Sequence, residues 1–286
     1  MPLALSRRDL LLAGTVSLLS FPARADASRR VVSLGGAVTE TLYRLGREPE
    51  IVGVDSTSQF PPDALKTKPN LGYVRALGAE GLLSLKPDLV LAIEGAGPPD
   101  VLNLVAQAGV PIVRVPEDPS AQGVLARIDA VARAVGAEAA GEALASDVRS
   151  RFAILDRARA GAGPGLRVLA VLSLQNGRPL VGGRGTTADG MLRLAGAVNA
   201  AENLEGWKPL SDEGVIAARP DVVLRVVRGD GRGEDVLALP AFAATPAGRA
   251  RALVAMDGLY LLGFGPRTPD AALDLVAALS AAGRRG

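Results

Sequence analysis

The sequence of 286 residues contains no cysteine and no histidine. Without cysteine the chain forms no disulfide bonds and carries no lipidated cysteine that could tether it to a membrane. Without histidine it has no Ser-His-Asp triad, no imidazole general base, and no zinc, copper or manganese site built from imidazoles or thiolates. Most hydrolase functions are therefore excluded, and the fold must be stabilised by burial of a core.

The N-terminal segment has the three regions of an export signal. Arg7 and Arg8 precede an apolar run over residues 10–19, and a small-residue cleavage site ends at Ala25. The apolar run is about half of the roughly 20 residues that a membrane-spanning helix needs, so we predict a signal peptide over residues 1–25 and no membrane anchor. The paired arginines resemble a twin-arginine signal, and ordinary unfolded export remains the alternative.

No concentrated basic surface is apparent in the sequence. The chain has 32 basic and 30 acidic residues, and the predicted signal peptide contains three arginines and one aspartate. Its removal leaves 29 residues of each sign. Nucleic-acid and membrane-surface binding both favour a concentrated basic face. We therefore expect neither nucleic acid nor a membrane surface as a partner.

Two stretches of the sequence align with each other without gaps. Residues 80–91 and 213–224 each contain a helical start, a Pro-Asp turn and a short apolar strand. A weaker similarity relates the glycine pair at 35–36 to the pair at 182–183, because each pair follows an apolar segment and precedes a helical pattern. Neither pair completes a dinucleotide-binding or Walker motif. The two halves are therefore predicted to share one plan.

Strands alternate with helices in both halves, which predicts an α/β fold with mainly parallel sheets. We predict an N-terminal α/β lobe over residues 26–120, a connecting helical segment over 121–163, and a C-terminal α/β lobe over 164–286. The connecting segment should contain a long helix over 138–160, and the second lobe a late strand around 258–262. Sheets of this kind bind ligands at the C-terminal edges of their strands.

Residues 70–77 place a phenol and a guanidinium two positions apart, in Tyr73 and Arg75. The stretch precedes a helical pattern that begins at Ala79, so Tyr73 is expected on a loop, where ligands are commonly bound. Taken alone, Tyr73 could equally be a half-buried packing residue and Arg75 a solvated surface arginine.

Two α/β lobes joined by a long helix, in an exported chain without a catalytic motif, resemble the class III periplasmic binding proteins that serve ABC importers. The local motifs resemble those of the haem-binding members of this family, and they occur in order over nearly the whole mature chain. These motifs are residues 32–36 with Thr39 and Glu40, residues 55–58, 72–77, 188–190, 208–210 and 260–267.

The resemblance implies that Tyr73 is the axial ligand of a ferric haem iron in the cleft between the lobes. A phenolate oxygen is a known protein ligand of haem iron, and a hard anion suits Fe(III). Ionising a phenol at neutral pH costs about 4 kcal/mol, which the iron bond and a nearby cation must offset. Arg75 is the candidate for that cation.

From the second lobe, we expect haem contacts from Arg228, at the end of a predicted strand, and from Arg184, beside the glycine pair. Arg228 would contact a propionate or the haem face, because the planar guanidinium matches a carboxylate. Some members of the family add a histidine from the second lobe. This chain has none. We therefore expect one five-coordinate haem.

Glu80 and Glu213 occupy equivalent positions of the repeat, one in each lobe. They match the acidic residues that in this family meet arginines on the two permease subunits. One charge on each of two lobes suits a two-fold symmetric partner. The alternative is that both residues are N-terminal helix acids favoured by the helix dipole.

We therefore predict a monomeric periplasmic protein that binds haem as a transported ligand and delivers it to an ABC importer permease and its ATPase in the inner membrane. We expect it not to be an enzyme. One alternative is a corrinoid or ferric-siderophore carrier of the same fold, in which Tyr73 would be a packing residue. Another is an exported α/β enzyme, which would need an acid-base pair with perturbed pKa values.

Overall fold

The computed structural model describes residues 29–160, 165–227, 229 and 235–284. The predicted signal peptide and the predicted haem contact Arg228 lie outside these residues. The strands are β1 (Val31–Leu34), β2 (Ile51–Val54), β3 (Leu89–Ile93), β4 (Ile112–Val115), β5 (Arg167–Gln175), β6 (Arg178–Gly182), β7 (Val198–Asn199), β8 (Trp207–Pro209), β9 (Val222–Val227) and β10 (Leu253–Asp257). The helices are α1 (Gly36–Arg44), α2 (Asp63–Thr67), α3 (Ala79–Ser84), α4 (Pro99–Gln107), α5 (Ala121–Ala134), α6 (Glu138–Ala160), α7 (Thr187–Leu194), α8 (Asp212–Ala218), α9 (Pro240–Ala243), α10 (Pro246–Ala250), α11 (Gly258–Leu262) and α12 (Thr268–Gly283).

The first lobe is built on a four-stranded sheet in the order β2-β1-β3-β4. Each neighbouring pair of strands in this sheet is parallel. All of β1 is buried, and so is β3 up to its last residue. Parallel sheets are covered on both faces, so their strands are continuous apolar runs rather than alternating ones. The predicted parallel sheet of this lobe is confirmed.

The second lobe contains a mixed sheet in the order β10-β9-β5-β6-β8, and β7 pairs with the first residues of β5. The strands β7, β9 and β10 belong to its parallel part. The strands β6 and β8 are antiparallel additions, and β6 follows β5 through a tight Asn-Gly turn at residues 176–177. This sheet is therefore a parallel core extended by a hairpin.

The internal repeat is visible in the hydrogen bonds of the two lobes. The backbone N–H of Arg30 donates to the Asp88 carboxylate at 2.9 Å, and that of Arg167 donates to the Asp221 carboxylate at 2.9 Å. In each lobe the same arginine side chain also donates to a backbone carbonyl at the end of the helix that precedes the Pro-Asp turn. The strand order β2-β1-β3-β4 corresponds to β7-β5-β9-β10. The predicted common plan therefore holds.

The connecting segment consists of two helices, α5 and α6, which are separated at Gly136. Gly136 has a φ of 63°, a left-handed conformation that glycine adopts without steric cost. The helix α6 has 23 residues and is about 35 Å long at about 1.5 Å per residue. It packs against α5 and against the last helix, α12. An ion pair of 2.9 Å between Arg151 and Asp270 reinforces the second contact.

Arg127 on α5 connects the two lobes through a guanidinium that is almost completely buried. Its Nε donates to the Pro116 carbonyl of the first lobe at 3.0 Å, and its Nη1 donates to the Phe264 carbonyl of the second lobe. Phe264 is itself buried in the largest hydrophobic cluster of the described residues. Burial lowers the pKa of Arg127, an effect that Glu117 opposes. One buried cation therefore donates to the backbone of both lobes.

The prediction of a strand around residues 258–262 is wrong. These residues form helix α11, and the strand of this region is β10, immediately before it. A short apolar run does not distinguish a strand from a buried helix. Asp257 decides the conformation, because its side chain accepts a hydrogen bond from the Tyr260 backbone N–H at 2.8 Å and so caps the helix.

We expect Arg127→Met to lower the free energy of unfolding by about 2–3 kcal/mol, because two buried carbonyl groups lose charged donors. Urea unfolding of the mature protein measures the change. Arg133→Met on the same helix is the matched control, since Arg133 is exposed and pairs with Asp129. That variant should change stability by no more than about 0.5 kcal/mol. Equal losses in the two variants would contradict a linking role for Arg127.

Candidate functional site

Tyr73 lies on the loop between α2 and α3, as predicted. This loop is fixed at both sides by backbone hydrogen bonds at the C-terminal edge of the first sheet. The Ser56 N–H, after β2, donates to the Gly72 carbonyl at 2.8 Å, and the Leu77 N–H donates to the Gly97 carbonyl, after β3, at 3.0 Å. Gly72 has a φ of 89°, which favours glycine at the turn into Tyr73. The edge of the sheet therefore holds Tyr73 on a well-anchored loop.

Tyr73 differs from the other two tyrosines of the chain in its surroundings. The hydroxyl of Tyr43 is buried, and that of Tyr260 donates to the Asp274 carboxylate at 2.9 Å. Tyr73 is 53% exposed, and its hydroxyl has no hydrogen-bond partner among the described residues. A phenol in this setting is available to a ligand.

Arg75 also lies at this edge, 3.9 Å from the carboxylate of Glu117. Glu117 follows β4, and its backbone N–H donates to the Glu94 carboxylate at 3.0 Å. Burial raises the pKa of Glu117, while the charges of Arg75 and Arg127 lower it. The loop between α2 and α3 and the segments that follow β3 and β4 thus bring one phenol, two carboxylates and a guanidinium to one sheet edge.

Arg184, the second predicted contact within the described residues, is exposed on the loop between β6 and α7. Its backbone is fixed, because its N–H donates to the Leu204 carbonyl at 2.8 Å and its carbonyl accepts from the Gly206 N–H at 3.0 Å. Among the described residues, no hydrogen bond or ion pair joins Arg184 to Tyr73 or Arg75. The two lobes therefore present these side chains separately.

Lys208 is a candidate that the sequence analysis did not identify. The gapless alignment of residues 80–91 with 213–224 continues upstream, so that residues 71–78 align with 204–211. In this continuation Lys208 occupies the position of Arg75, and Gly206 occupies the position of Tyr73. Lys208 is exposed on β8, beside the segment that holds the Arg184 loop. Extending the repeat would have revealed it.

A contact between the lobes was also missed. Glu40 on α1 is 4% exposed, accepts the Arg267 backbone N–H at 3.1 Å, and lies 3.1 Å from the Arg267 Nε. The Arg267 guanidinium stacks 3.5 Å from the centroid of the Phe60 ring. Burial raises the pKa of Glu40, and Arg267 opposes this shift. Glu40 and residues 260–267 belong to the motifs that resemble the haem-binding proteins, but no sequence pattern predicts that they pair.

Glu80 and Glu213 are both exposed in the first turns of equivalent helices, α3 and α8. Hydrogen bonds from its own backbone N–H and from the Ser211 hydroxyl hold the pKa of Glu213 below its usual value. An exposed carboxyl group at each position is compatible with docking to a partner and with a helix-dipole role.

The described residues contain no group of three or more acidic side chains that could hold a metal ion. Tyr73 offers a single oxygen donor. Such a donor suits a metal that a chelating ligand already surrounds, as in haem. No helix in the described part of the chain combines the length and hydrophobicity needed to cross a membrane.

We expect Tyr73→Phe to change the free energy of unfolding by less than about 0.5 kcal/mol, because the exposed hydroxyl makes no hydrogen bond within the described residues. Tyr260→Phe should cost about 0.5–1 kcal/mol, since it removes the hydrogen bond to Asp274. Urea unfolding measures both. A larger loss in Tyr73→Phe than in Tyr260→Phe would indicate that the Tyr73 hydroxyl makes a stabilising contact within the folded protein and is not free for a ligand.

This chain is similar to three periplasmic haem-binding proteins whose structures have been solved. The chain is 44% identical to BhuT, solved in complex with two haems, with a TM-score of 0.84 and coverage of 89% of this chain and 98% of that one. It is 41% identical to apo RhuT from Roseiflexus sp. RS-1, with a TM-score of 0.83 and coverage of 90% and 99%. A haem-binding protein from Pseudomonas aeruginosa is 37% identical, with a TM-score of 0.80 and coverage of 88% and 93%.

Curated relatives match over shorter stretches. An uncharacterised ABC transporter substrate-binding lipoprotein of Bacillus subtilis, YvrC, is 27% identical over 199 residues, which cover 68% of this chain and 63% of the relative. The vitamin B12-binding protein of Yersinia pestis is 37% identical over 97 residues, or 34% of each chain. The chain thus spans about 63% and 34% of the lengths of these relatives.

A family model described as periplasmic binding protein matches residues 31–259. The two-lobed α/β architecture with a long connecting helix agrees with this match and with the solved structures. Proteins of this kind are ligand-binding components of transport systems and not enzymes. The chain therefore belongs to the periplasmic binding protein family, and its predicted class III fold is confirmed.

Proposed function

We propose that this protein binds haem at the edge of the first sheet and delivers it to an ABC importer. The observation that carries the proposal is the exposed phenol of Tyr73, which has no partner within the described residues and lies two positions from Arg75 on a backbone-anchored loop. The similarity to haem-binding proteins at 37–44% identity over nearly their whole length supports it. Haem is here the transported ligand.

Tyr73 would ligate the ferric iron through its phenolate oxygen. The iron supplies a positive centre that stabilises the phenolate, and Arg75 adds a second positive charge at the same edge. Arg75 is 60% exposed, so its guanidinium can turn to the phenolate or to a propionate. Its ion pair with the Glu117 carboxylate, at 3.9 Å, is weak.

Basic side chains of the second lobe would bind the propionates. Arg184 and Lys208 are both exposed, and their backbones are held by neighbouring strands and loops. Arg228 stays a proposed contact on the basis of its position in the sequence. An arginine suits a carboxylate through its planar pair of donors, whereas a lysine acts as a point charge.

We propose that one five-coordinate haem is bound. The repeat places Gly206 where the first lobe has Tyr73, so the second lobe has no equivalent phenol at this position. The chain also has no histidine. The BhuT structure contains two haems, which makes stoichiometry a decisive measurement.

A corrinoid is the second candidate ligand, because the vitamin B12-binding protein of Yersinia pestis is 37% identical over 97 residues. The similarity to the haem-binding proteins extends over far more of the chain. A corrinoid carrier would not need the phenol of Tyr73. Titration with haemin and with cyanocobalamin separates the two ligands through their different absorption spectra.

The protein would work in the periplasm as a monomer, after removal of residues 1–25 as an export signal. We propose residues 26–120 and 164–286 as the lobes and 121–163 as the connecting segment. Glu80 and Glu213 would dock the two lobes onto basic residues of a permease that works with an ATPase in the inner membrane. Both glutamates are exposed, and they lie at equivalent places in the repeat.

We expect haemin to bind the mature protein with saturable one-to-one stoichiometry and a high-spin tyrosinate-type spectrum. Tyr73→Phe should abolish this spectrum and weaken binding by at least about tenfold. Losses of this size are common even when the mutated residue only hydrogen-bonds to a metal ligand. Tyr260→Phe is the matched control and should bind as the wild type does. Quenching of Trp207, the only tryptophan, gives an independent signal.

Saturable haemin binding that is unchanged in Tyr73→Phe would keep haem as the ligand and refute the assignment of Tyr73. Binding of cyanocobalamin without saturable binding of haemin would refute haem transport and support the corrinoid alternative. Two bound haems would refute the single-haem proposal.

We expect the double variant Glu80→Arg/Glu213→Arg to bind haemin normally and to lose at least about tenfold in stimulation of the importer ATPase, because like charges would meet at the docking surface. Glu138→Arg is the control, since Glu138 is an exposed glutamate in the first turn of α6. ATPase assays with the reconstituted importer measure the effect. Equal stimulation by the double variant and the control would refute docking through these glutamates.

A further inference from the structure

Glu117 lies between two arginines at the sheet edge that carries Tyr73. On the side of the Tyr73 loop, the Arg75 guanidinium is 3.9 Å from the Glu117 carboxylate. On the interior side, Arg127 of α5 acts on the same carboxylate through its charge. Glu94, at the end of β3, adds a like charge and accepts the Glu117 backbone N–H.

The two arginines differ in their freedom to move. Arg75 is 60% exposed, and an ion pair of this length near the surface is weak. Arg127 is 1% exposed, and its Nε and Nη1 are bound to backbone carbonyls. The Nη2 of Arg127 is buried without a hydrogen-bond partner among the described residues. A ligand can therefore withdraw Arg75 from Glu117, whereas Arg127 stays in place.

We propose that Glu117 pairs with Arg75 in the empty protein, competes with an anionic ligand for it, and takes up a proton when the ligand draws Arg75 away. The proton comes from solvent, and the carboxylate becomes a neutral carboxyl group. The inference rests on the proposed function where the ligand is haem, whose propionates are the anions. The Arg75–Glu117 pair itself is independent of the ligand's identity.

The electrostatics of the site support this coupling. Burial is the main cause that raises the pKa of Glu117, and Arg75 is the foremost of the charges that lower it. A carboxyl group that keeps its burial but loses a cation has its pKa raised further. The ligand's own negative charge and the Glu94 carboxylate act in the same direction. Arg127 opposes these effects from a fixed position.

The sign of the pH dependence follows from linkage. If the bound state holds more protons at Glu117 than the empty state, affinity for the anionic ligand increases as pH falls. The window lies between the pKa of Glu117 in the empty protein, already above its usual value, and the higher pKa in the complex. Above this window Glu117 stays ionised and competes with the ligand for Arg75.

The first test uses the ligand-free mature protein labelled with carboxyl-¹³C glutamate. The Glu117 signal is assigned by its absence in Glu117→Gln and followed against pH by NMR. Arg75→Met imitates the withdrawal of Arg75, so the midpoint of the Glu117 titration should move to higher pH than in the wild type. An unchanged midpoint would overturn the inference, because Arg75 would not control the protonation of Glu117.

The second test measures proton uptake on haemin binding by calorimetry in buffers of different ionisation enthalpy. Wild-type protein should take up more protons than Glu117→Gln, and near pH 8 the variant should bind haemin about two- to tenfold more tightly, because Arg75 is released. Asp63→Asn is the matched control, since it removes an exposed carboxylate from another 3.9 Å ion pair of the same lobe. It should behave as the wild type does.

Equal proton uptake by the wild type and Glu117→Gln would overturn the inference and leave haem binding intact. Failure of the wild type to bind haemin would refute the proposed function. In that case the NMR titration still decides whether Arg75 and Glu117 are coupled. The two failures are therefore distinguishable.

Discussion

The arrangement of the two lobes depends on how the loop of residues 263–267 is held by the first half of the chain. The buried guanidinium of Arg127 donates to the Phe264 carbonyl from one side. On the other side, Arg267 pairs with the buried Glu40 and stacks on Phe60. Separating the lobes would break these hydrogen bonds and expose the hydrophobic surface that is buried around Phe264. A single lobe arrangement is therefore strongly favoured, and ligand binding is expected to rely on movements of side chains.

The repeated plan of the lobes shows where the two halves differ at the proposed haem site. Both lobes share four parallel strands and the same arginine–aspartate contact at the start of the first strand. The segment before α3 in the first lobe carries Tyr73 and Arg75. The equivalent segment before α8 in the second lobe carries Gly206 and Lys208. The second lobe instead extends its sheet with the hairpin strand β6 and with β8. In the proposed function, the first lobe would ligate the iron and the second would bind the propionates.

Much of this architecture could be predicted from the sequence, because it depends on local patterns. Apolar runs bounded by turns located the parallel strands, and α6 agrees with the long helix predicted over residues 138–160. Leu144, Val148, Phe152 and Leu155 recur at helical spacing and lie on its buried face. The Tyr73 loop followed from its position before a helical start. The error at residues 258–262 arose where a five-residue apolar run had no periodicity to separate strand from helix.

The contacts between the lobes could not be predicted, because they join residues far apart in the sequence. Glu40 and Arg267 are separated by 227 positions. An arginine such as Arg127 on an amphipathic helix would ordinarily be placed in solvent, and its burial follows only from the packing of the lobes. The Arg75–Glu117 pair likewise depends on three loops meeting at one sheet edge.

The most direct test of the account is the crystal structure of the mature protein loaded with haemin. We expect the iron to be bound by the Tyr73 phenolate oxygen and Arg75 to have turned from Glu117 to the phenolate or a propionate. An iron bound by another side chain, with Tyr73 packed away from the haem, would contradict it.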